Sequence, residues 1–383
     1  MSPTPVTYTS PGTPASYSWE ATDEEVAARY GLDLATIVRF DLNTSPVPPD
    51  LARRLLAAGR FVAPLSEYPP TDYRGLVEAA AARYGVTPAE ILVGAGADEI
   101  LDIVAKVFLT SGGRAIVPTP TYSMYRVVTE QRGGTVVAVP RLGQAAGWAV
   151  DQAAVRMAMR AHGATVIWLC SPNNPTALAE PEGAIEELLA GIATDAAAAG
   201  RSAPVVVLDE AYAEFVGTTL LALRDAYPNL IVVRTASKAY ALAGLRVGFA
   251  VARPELIARL NPFRPPGSIS TVSITLVTEA LRDDSILTDN LARVETERTR
   301  LTEALTEIGW EVGPSVTNFL LVDFATTERA AAVADGLLKR ALVPRTFGEG
   351  HPLADHLRLT IRAADENDRL IAAATELARE TTA

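Results

Sequence analysis

The sequence predicts an α/β fold in which a mainly parallel sheet is sandwiched between helices and is followed by a smaller α+β region. Seven short apolar segments, rich in β-branched residues and bounded by Gly, Pro or polar turns, are typical of buried strands. They are EILVGAG, RAIVPTP, GTVVAV, TVIWLC, PVVVLDEAY, LIVVRT and RVGFAVA. Segments with helical spacing lie between them, at residues 97–109, 151–162 and 180–199. Such alternation indicates parallel strands covered on both faces.

The pattern changes after residue 261, where RPPGS interrupts it. A helix over 286–308, charged on one face, is followed by NFLLVDF, a helix over 327–341, LVPRTF, LRLTIRA and a last helix. A chain of 383 residues is long enough for two domains. We predict an N-terminal arm with part of a small domain over 1–50. A large domain then covers 51–261, and the rest of the small domain covers 262–383.

Composition excludes several functional classes. The net charge is −11 without a long Lys/Arg run, which argues against nucleic-acid binding. No apolar run reaches the roughly 18–20 residues of a membrane span, and the Pro/Ser/Thr-rich start is not a signal peptide. A single cysteine, Cys170, fits a reducing compartment, so we expect a cytoplasmic protein. His351 and His356 lie five apart without further spaced ligands, so we expect solvated loop histidines and no metal site.

The segment TASKAYALAGLRVGF, residues 235–249, places one lysine among small residues after a strand. A partly buried lysine with a lowered pKa can form a Schiff base. Thr235 and Ser237 offer hydroxyls and Arg246 a cation, a combination that suits a phosphate group. Taken alone, Lys238 is better explained as a solvated loop residue.

Polar residues follow other predicted strands, where ligands of open α/β sheets bind. Asp209 and Tyr212 come directly after one strand; Asp209 is suited to a pyridinium nitrogen, or alternatively to a helix N-cap. Asn174 lies between prolines in SPNNPTA, where turn formation is the alternative explanation. Tyr122 follows a further strand and offers a ring for stacking or simply for the core.

The segment LVGAGADEIL predicts a strand, a Gly-rich turn and a helix whose first N–H groups, near Gly96, Ala97 and Asp98, are suited to phosphate oxygens. No Gly-Lys-Ser/Thr follows, so it is not a Walker A loop. Gly94 and Gly96 are not followed by the third glycine of a dinucleotide-binding turn, which argues against a nicotinamide cofactor.

Together these motifs resemble the class I/II aminotransferases, which are pyridoxal-phosphate (PLP) enzymes of fold type I. SPNNPTA, VVLDEAYAEF and RTASKAYALAGLRVGF match that family in sequence, order and spacing, and the resemblance extends from about Tyr17 to the C-terminus. GAGADEIL, PTPTYSMY and PSVTNFLLV are similar to its histidinol-phosphate aminotransferase branch.

The resemblance implies a role for each matched cofactor residue. Lys238 would hold PLP as an internal aldimine and later move a proton between Cα and C4′. Asp209 would pair with the pyridine nitrogen, Tyr212 and Asn174 would bond the ring's 3-oxygen, and Tyr122 would stack on the ring. The phosphate would meet Gly96, Ala97, Asp98, Thr235, Ser237 and Arg246.

The resemblance also implies partners and substrate contacts. Tyr68, in LSEYPPTDY, matches a tyrosine that reaches the phosphate of the neighbouring subunit, which implies a homodimer with shared active sites. Arg358, in LRLTIR, would clamp the substrate α-carboxylate, with Arg345, in LVPRTF, near the substrate. Asn43, in DLNTSPVPP, would lie in the arm that closes over the site. Asn174 and Tyr17 complete the candidate substrate contacts.

The implied reaction is ping-pong transfer of an amino group, through aldimine and ketimine intermediates, between an amino donor and 2-oxoglutarate. Histidinol phosphate is the favoured donor. SPNNPTA departs from the family's NPNNPTG, and RPPGSIS brings in Arg264 as a further candidate cation near the substrate. An aromatic or other amino-acid aminotransferase, and a threonine-phosphate-type decarboxylase, therefore stay open. A non-enzymatic regulator would need a DNA-binding segment, for which the acidic first 50 residues offer no basis.

Overall fold

Strands and helices alternate along residues 16–61 and 63–382, the part of the chain that the structure, a computed structural model, describes. The strands are β1 (Val38–Arg39), β2 (Ile91–Gly94), β3 (Arg114–Thr119), β4 (Thr135–Pro140), β5 (Val166–Cys170), β6 (Val205–Asp209), β7 (Leu230–Thr235), β8 (Gly248–Ala252), β9 (Glu311–Val312), β10 (Phe319–Asp323), β11 (Leu342–Val343) and β12 (His356–Thr360). The helices are α1 (Asp23–Tyr30), α2 (Leu51–Ala57), α3 (Arg74–Tyr84), α4 (Gly96–Phe108), α5 (Met124–Gln131), α6 (Gln152–His162), α7 (Ala184–Ala198), α8 (Ala213–Val216), α9 (Pro254–Leu260), α10 (Thr271–Arg282), α11 (Asp284–Glu307), α12 (Thr327–Leu338) and α13 (Ala364–Thr382).

The central sheet contains the seven predicted strands in the order β2-β8-β7-β6-β5-β3-β4. Five of them run parallel to one another, namely β7, β6, β5, β3 and β4. β8 runs antiparallel to both of its neighbours, β2 and β7. Residues 236–247, which include Lys238, join β7 to β8 without an intervening α-helix. The predicted α/β fold with a mainly parallel sheet is confirmed.

Both faces of the sheet are buried under helices, which explains the continuous apolar strands. Along β5, Ile167 and Leu169 pack into one core with α3, α6, α7 and α10. Val166 and Trp168, on alternate positions, pack into the other core with α4, α5 and α9. This alternation follows from the two-residue period of a strand.

One strand departs from the prediction of buried strands. β4 lies at the sheet edge with β3 as its neighbour. Only Val139 is buried along it, and Thr135 is exposed. The expectation of a buried strand is wrong for β4 because an edge strand has a neighbouring strand on one side only. The start expected for α7 at residue 180 is also wrong, since Pro181 and the left-handed Gly183 (φ 77°) delay the helix to Ala184.

A second unit holds an antiparallel sheet of order β12-β10-β9 and the parallel pair β1-β11. Helices α11, α12 and α13 share an apolar core with these strands. β1 brings the segment before residue 50 onto this unit, and α10 packs against α3 of the first unit. The division of the chain at residues 50/51 and 261/262 stays a prediction.

The carboxyl ends of β5, β6 and β7 meet at one edge of the central sheet, beside the second unit. SPNNPTA, the Asp209 turn and the Lys238 loop each leave the sheet at this edge. Within the described residues, no helix combines the length and the apolar content that crossing a bilayer requires.

Candidate active site

A cleft of about 630 Å³ opens where these three strands end. Most of the predicted site residues line it. They are Tyr17, Asn43, Ala97, Asp98, Tyr122, Asn174, Asp209, Tyr212, Thr235, Ser237, Lys238, Arg246, Arg345 and Arg358. Gly96 lies beside them at the start of α4, and a Cβ on it would come 2.5 Å from Nη2 of Arg246.

Lys238 lies in the turn after β7, and its Nζ donates a 3.2 Å hydrogen bond to the backbone oxygen of Asn43. Burial lowers the pKa of Lys238 to about 8, and the positive charges of Arg358 and Arg246 act in the same direction. Asp98 and Asp209 oppose the shift. A substantial fraction of the amine is therefore neutral near physiological pH, the form that can attack a carbonyl carbon.

Asp209 ends β6 with its carboxylate buried and held by two donors. The phenol of Tyr125 donates to Oδ2 at 2.9 Å, and the backbone N–H of Ala211 donates to Oδ1 at 3.0 Å. Burial raises the pKa of Asp209 to about 6, while both hydrogen bonds lower it. The carboxylate is thus mostly ionised at pH 7, and it faces the cleft that Lys238 also lines.

Tyr212 and Asn43 form a buried pair next to Lys238, whose Nζ lies 5.7 Å from the centre of the Tyr212 ring. Nδ2 of Asn43 donates to the Tyr212 hydroxyl at 3.0 Å. Asn43 has a left-handed backbone (φ 52°), and its N–H bonds Oγ1 of Thr360 at 2.9 Å. Burial raises the pKa of Tyr212, whereas Arg358 and Asn43 lower it.

Arg358, on β12, is buried and lines the same cleft. Its Nη1 donates to Oδ1 of Asn174 at 2.6 Å, and its Nη2 donates to the backbone oxygen of Asp41. Its Nε is buried without a hydrogen-bond partner. Within the described chain, no ion pair involves Arg358. This buried cation is held by neutral acceptors, which leaves its charge to attract an anionic ligand.

The start of α4 and the turn after β7 form a cradle of donors. The cap residue Ala95 provides no side-chain cap for the first N–H groups of the helix, and Ala97 and Asp98 line the cleft. A Cβ on Gly248 would lie 2.4 Å from the backbone N of Ala97, so a glycine is required for β8 to approach so closely. Thr235, Ser237 and Arg246 line the same end of the cleft.

Hydrogen bonds fix the groups around this cradle. Oγ1 of Thr235 donates to Oγ of Ser237 at 2.9 Å and accepts from its N–H at 3.1 Å. Arg246 pairs with Asp98 at 3.2 Å, and Oδ1 of Asp98 accepts from the Tyr122 hydroxyl at 3.0 Å. Backbone N–H groups at a helix start, two hydroxyls and a guanidinium form a donor set suited to a phosphate.

Arg345 pairs through its backbone with Arg358, and its side chain reaches the N-terminal arm. Its Nη1 donates to the backbone oxygen of Ser18 at 2.8 Å, and Oε1 of Glu20 lies 3.6 Å away. Its guanidinium lies 5.7 Å from the ring centre of Tyr17. Arg345 thus lines the cleft mouth, where Glu20 of the arm partly neutralises its positive charge.

Two residues predicted to contact the cofactor or the substrate, Tyr68 and Arg264, lie outside this cleft. Tyr68 is 95% exposed and does not line the cleft of its own subunit. Arg264 donates from Nη2 to the backbone oxygen of Thr71 at 2.5 Å and stacks over the ring of Tyr73. The expectation that Arg264 faces a substrate is therefore not met within one chain.

The histidines also differ from expectation. His356 is buried on β12, so our expectation of a solvated loop histidine is wrong for it. Its Nδ1 lies 2.6 Å from Asp355, and its Nε2 lies 3.8 Å from Asp323, its cross-strand neighbour. These three residues form the described group whose spacing could hold a metal, although only one carboxylate faces the free ring nitrogen. His351 stacks on Phe347 at 4.9 Å.

Sequence reasoning missed several cleft residues. Tyr125 holds Asp209 and stacks on Trp168 at 5.7 Å; its presence in PTPTYSMY was the one available signal. Asp41 acts through its backbone oxygen, which any residue type supplies. Trp19 lines the cleft mouth, and only its closeness to Tyr17 in sequence pointed to it.

Fold and cleft together define an enzyme that binds a phosphorylated cofactor beside a reactive lysine. A model of the aminotransferase class I and II family matches residues 40–375. A histidinol-phosphate aminotransferase of Symbiobacterium thermophilum is 35% identical over 344 residues, covering 89% of this chain and 91% of that protein. The chain belongs to the class I and II aminotransferases, which are PLP-dependent transaminases.

Solved structures share the fold. The histidinol-phosphate aminotransferase of Sinorhizobium meliloti, determined in complex with pyridoxal-5'-phosphate, has a TM-score of 0.82 at 25% identity, covering 95% of this chain and 96% of that one. The L-threonine-O-3-phosphate decarboxylase of Porphyromonas gingivalis has a TM-score of 0.73 at 22% identity, covering 90% of this chain and 100% of that one. The predicted family, fold type and PLP cofactor are confirmed.

Proposed function

We propose that this enzyme transfers the amino group of histidinol phosphate to 2-oxoglutarate, in the cytoplasm and as a homodimer. The observation that carries the proposal is the buried Arg358, which is bound to neutral acceptors in the cleft that Lys238 also lines. Both the phosphate of the donor and the carboxylates of 2-oxoglutarate offer the anion that this cation lacks. Relatives that are 33–35% identical over most of the chain are named histidinol-phosphate aminotransferases.

The cofactor fits the donor set of the cleft. Bound PLP supplies a ring that withdraws electrons from the substrate's Cα and carries the amino group between the two half-reactions. Asp209 would keep the ring nitrogen protonated, since its carboxylate is ionised at neutral pH. The N–H groups of Gly96 and Ala97, with Ser237 and Arg246, would hold the phosphate.

Lys238 has two proposed tasks that its geometry and pKa support. Its neutral amine would hold the cofactor covalently until a substrate amine takes its place. Once free, Nζ takes the proton from the substrate's Cα as a general base, which requires a pKa near the working pH. Burial keeps that pKa low, and the neighbouring charges of Arg358 and Arg246 add to the effect.

Tyr212, Asn174 and Tyr122 would orient the ring. Asn43 holds the Tyr212 hydroxyl, and Arg358 holds the Asn174 side chain. Tyr122 lines the same cleft, with its ring edge-on to Tyr125 at 5.8 Å. With the ring oriented in this way, the position in which the substrate is held would decide which bond at Cα breaks, and therefore which reaction follows.

The proposed homodimer rests on Tyr68. Its ring is 95% exposed on an irregular segment, close to the exposed Leu65. Exposed large apolar side chains are typical of interfaces. In a dimer with shared sites, Tyr68 would complete the phosphate cradle of the other subunit.

The test supplies the purified enzyme and PLP with one amino donor at a time and 2-oxoglutarate, and measures glutamate and carbon dioxide. Glutamate formed fastest with histidinol phosphate supports the proposal. Faster turnover with phenylalanine would assign an aromatic amino-acid aminotransferase instead. Carbon dioxide released from threonine phosphate without glutamate would contradict the transaminase assignment.

A further inference from the structure

The N-terminal segment Tyr17–Ala21 lies along the mouth of the cleft and is fastened by several contacts. Arg345 bonds the backbone oxygen of Ser18 at 2.8 Å, and Arg39 bonds that of Ala21 at 2.6 Å. Oε1 of Glu20 accepts hydrogen bonds from N and Oγ1 of Thr346 at 2.8 and 2.9 Å. The segment is therefore held in one position relative to the cleft.

The two aromatic residues of this segment, two positions apart, both line the cleft. The ring centres of Tyr17 and Trp19 are 4.6 Å apart, and Tyr17 meets Tyr122 edge-on at 6.2 Å. A continuous aromatic wall thus runs from Tyr122, the proposed neighbour of the cofactor ring, out to Trp19. A substrate attached near Lys238 and extending outward would pass along this wall.

Trp19 is the open end of that wall. Its side chain is 70% exposed, whereas Trp168 and Trp310 are buried. Covering a large apolar surface at a cleft mouth with a flat group removes it from water, which lowers the free energy. Arg345, which lies 5.7 Å from the Tyr17 ring, adds a positive charge beside the wall.

We infer that Trp19 is a specificity-determining residue whose indole packs against a planar ring on the amino donor. The inference rests on the proposed transaminase function and refines it, because it selects donors that carry a flat ring over those without one. Glutamate has no ring, so it uses the same cofactor site without covering the indole.

The test compares Trp19→Ala and Trp19→Phe with the wild-type enzyme, using a ring-bearing donor (histidinol phosphate or phenylalanine) and glutamate. We expect Trp19→Ala to raise KM for the ring-bearing donor about two- to tenfold, with kcat retained and a much smaller effect on glutamate. Trp19→Phe, which keeps a ring, recovers most of the loss. Met157→Ala, which truncates an exposed apolar side chain outside the cleft, serves as the control.

Three results would overturn the inference. They are an unchanged KM for the ring-bearing donor, an equal change for glutamate, and dissociation of the oligomer as the sole effect of Trp19→Ala. Exchange between glutamate and labelled 2-oxoglutarate in the wild-type enzyme provides the separate check. Loss of that exchange contradicts the proposed function itself, whereas exchange without ring selectivity at Trp19 contradicts only this inference.

Discussion

The hydroxyl of Tyr125 donates a 2.9 Å hydrogen bond to Oδ2 of Asp209, across 84 residues of sequence. Tyr125 is fully buried and lies parallel to Trp168, whose Nε1 bonds Oγ1 of Thr129. The stacking on Trp168 and the bond to Asp209 hold the Tyr125 ring in one orientation. The contact therefore fixes both the position and the protonation of the carboxylate that we assign to the cofactor's ring nitrogen.

Tyr125→Phe keeps the stacked ring and removes this donor. Burial already raises the pKa of Asp209 to about 6, and the lost bond raises it further, because Tyr125 stabilises the ionised form. We expect the acid limb of the kcat/KM profile to move to higher pH by about one unit. Tyr84→Phe, which removes another buried hydroxyl outside the cleft, is the control. An unmoved acid limb would disprove the role of Tyr125.

Arg358→Gln should raise the pKa of Lys238. That pKa is lowered to about 8 mainly by burial and next by Arg358, so removing the cation favours the charged amine. The rate at which PLP forms a Schiff base with apoprotein should rise with pH through about 8 in the wild type and through a higher pH in the variant. Arg264→Gln, outside the cleft, should keep the wild-type midpoint. Equal midpoints in all three proteins would contradict the assigned coupling.

Gly248→Ala should weaken PLP binding and destabilise the fold. The added Cβ would lie 2.4 Å from backbone atoms of Gly96 and Ala97, so β8 and the start of α4 must separate. Overpacking of this kind costs about 1–3 kcal/mol. Thermal unfolding and a PLP titration measure the two effects. Gly244→Ala, where a Cβ meets nothing within 4 Å, should leave both values near wild type.

Asn43→Gly and Asn43→Ala separate two functions of Asn43. Both variants remove the 3.0 Å bond to the Tyr212 hydroxyl, so each should lower kcat by up to about tenfold. Only alanine opposes the left-handed backbone at φ 52°, which adds about 1–2 kcal/mol of destabilisation. Kinetics and denaturant unfolding distinguish the two losses. Wild-type kcat in the glycine variant would show that the bond has no catalytic role.

The sequence predicted those site residues that follow a strand directly. Asp209 ends β6, and Lys238 lies three residues beyond the end of β7, so the parallel sheet brings them together. Asn174 and Arg358 were predicted from motifs, and the fold places their side chains 2.6 Å apart although 184 residues separate them.

Other contacts depend on tertiary packing that no local pattern contains. Asp41 binds Arg358 through a backbone oxygen, so its side-chain type carries no signal of the contact. The edge position of β4 depends on the order of strands in the sheet, not on its own apolar residues. Whether Tyr68 and Arg264 reach an active site depends on a second subunit, which stays a prediction.

The spectrum of the enzyme with PLP, recorded for wild type and for Lys238→Ala, tests the central claim most directly. We expect the wild type to show the long-wavelength band of a lysine Schiff base, to lose it when histidinol phosphate is added, and to regain it with 2-oxoglutarate. Lys238→Ala, with an unchanged circular dichroism spectrum, should show neither the lysine Schiff base nor turnover. Retained turnover in Lys238→Ala, or a wild type that forms no Schiff base with PLP, would contradict the account.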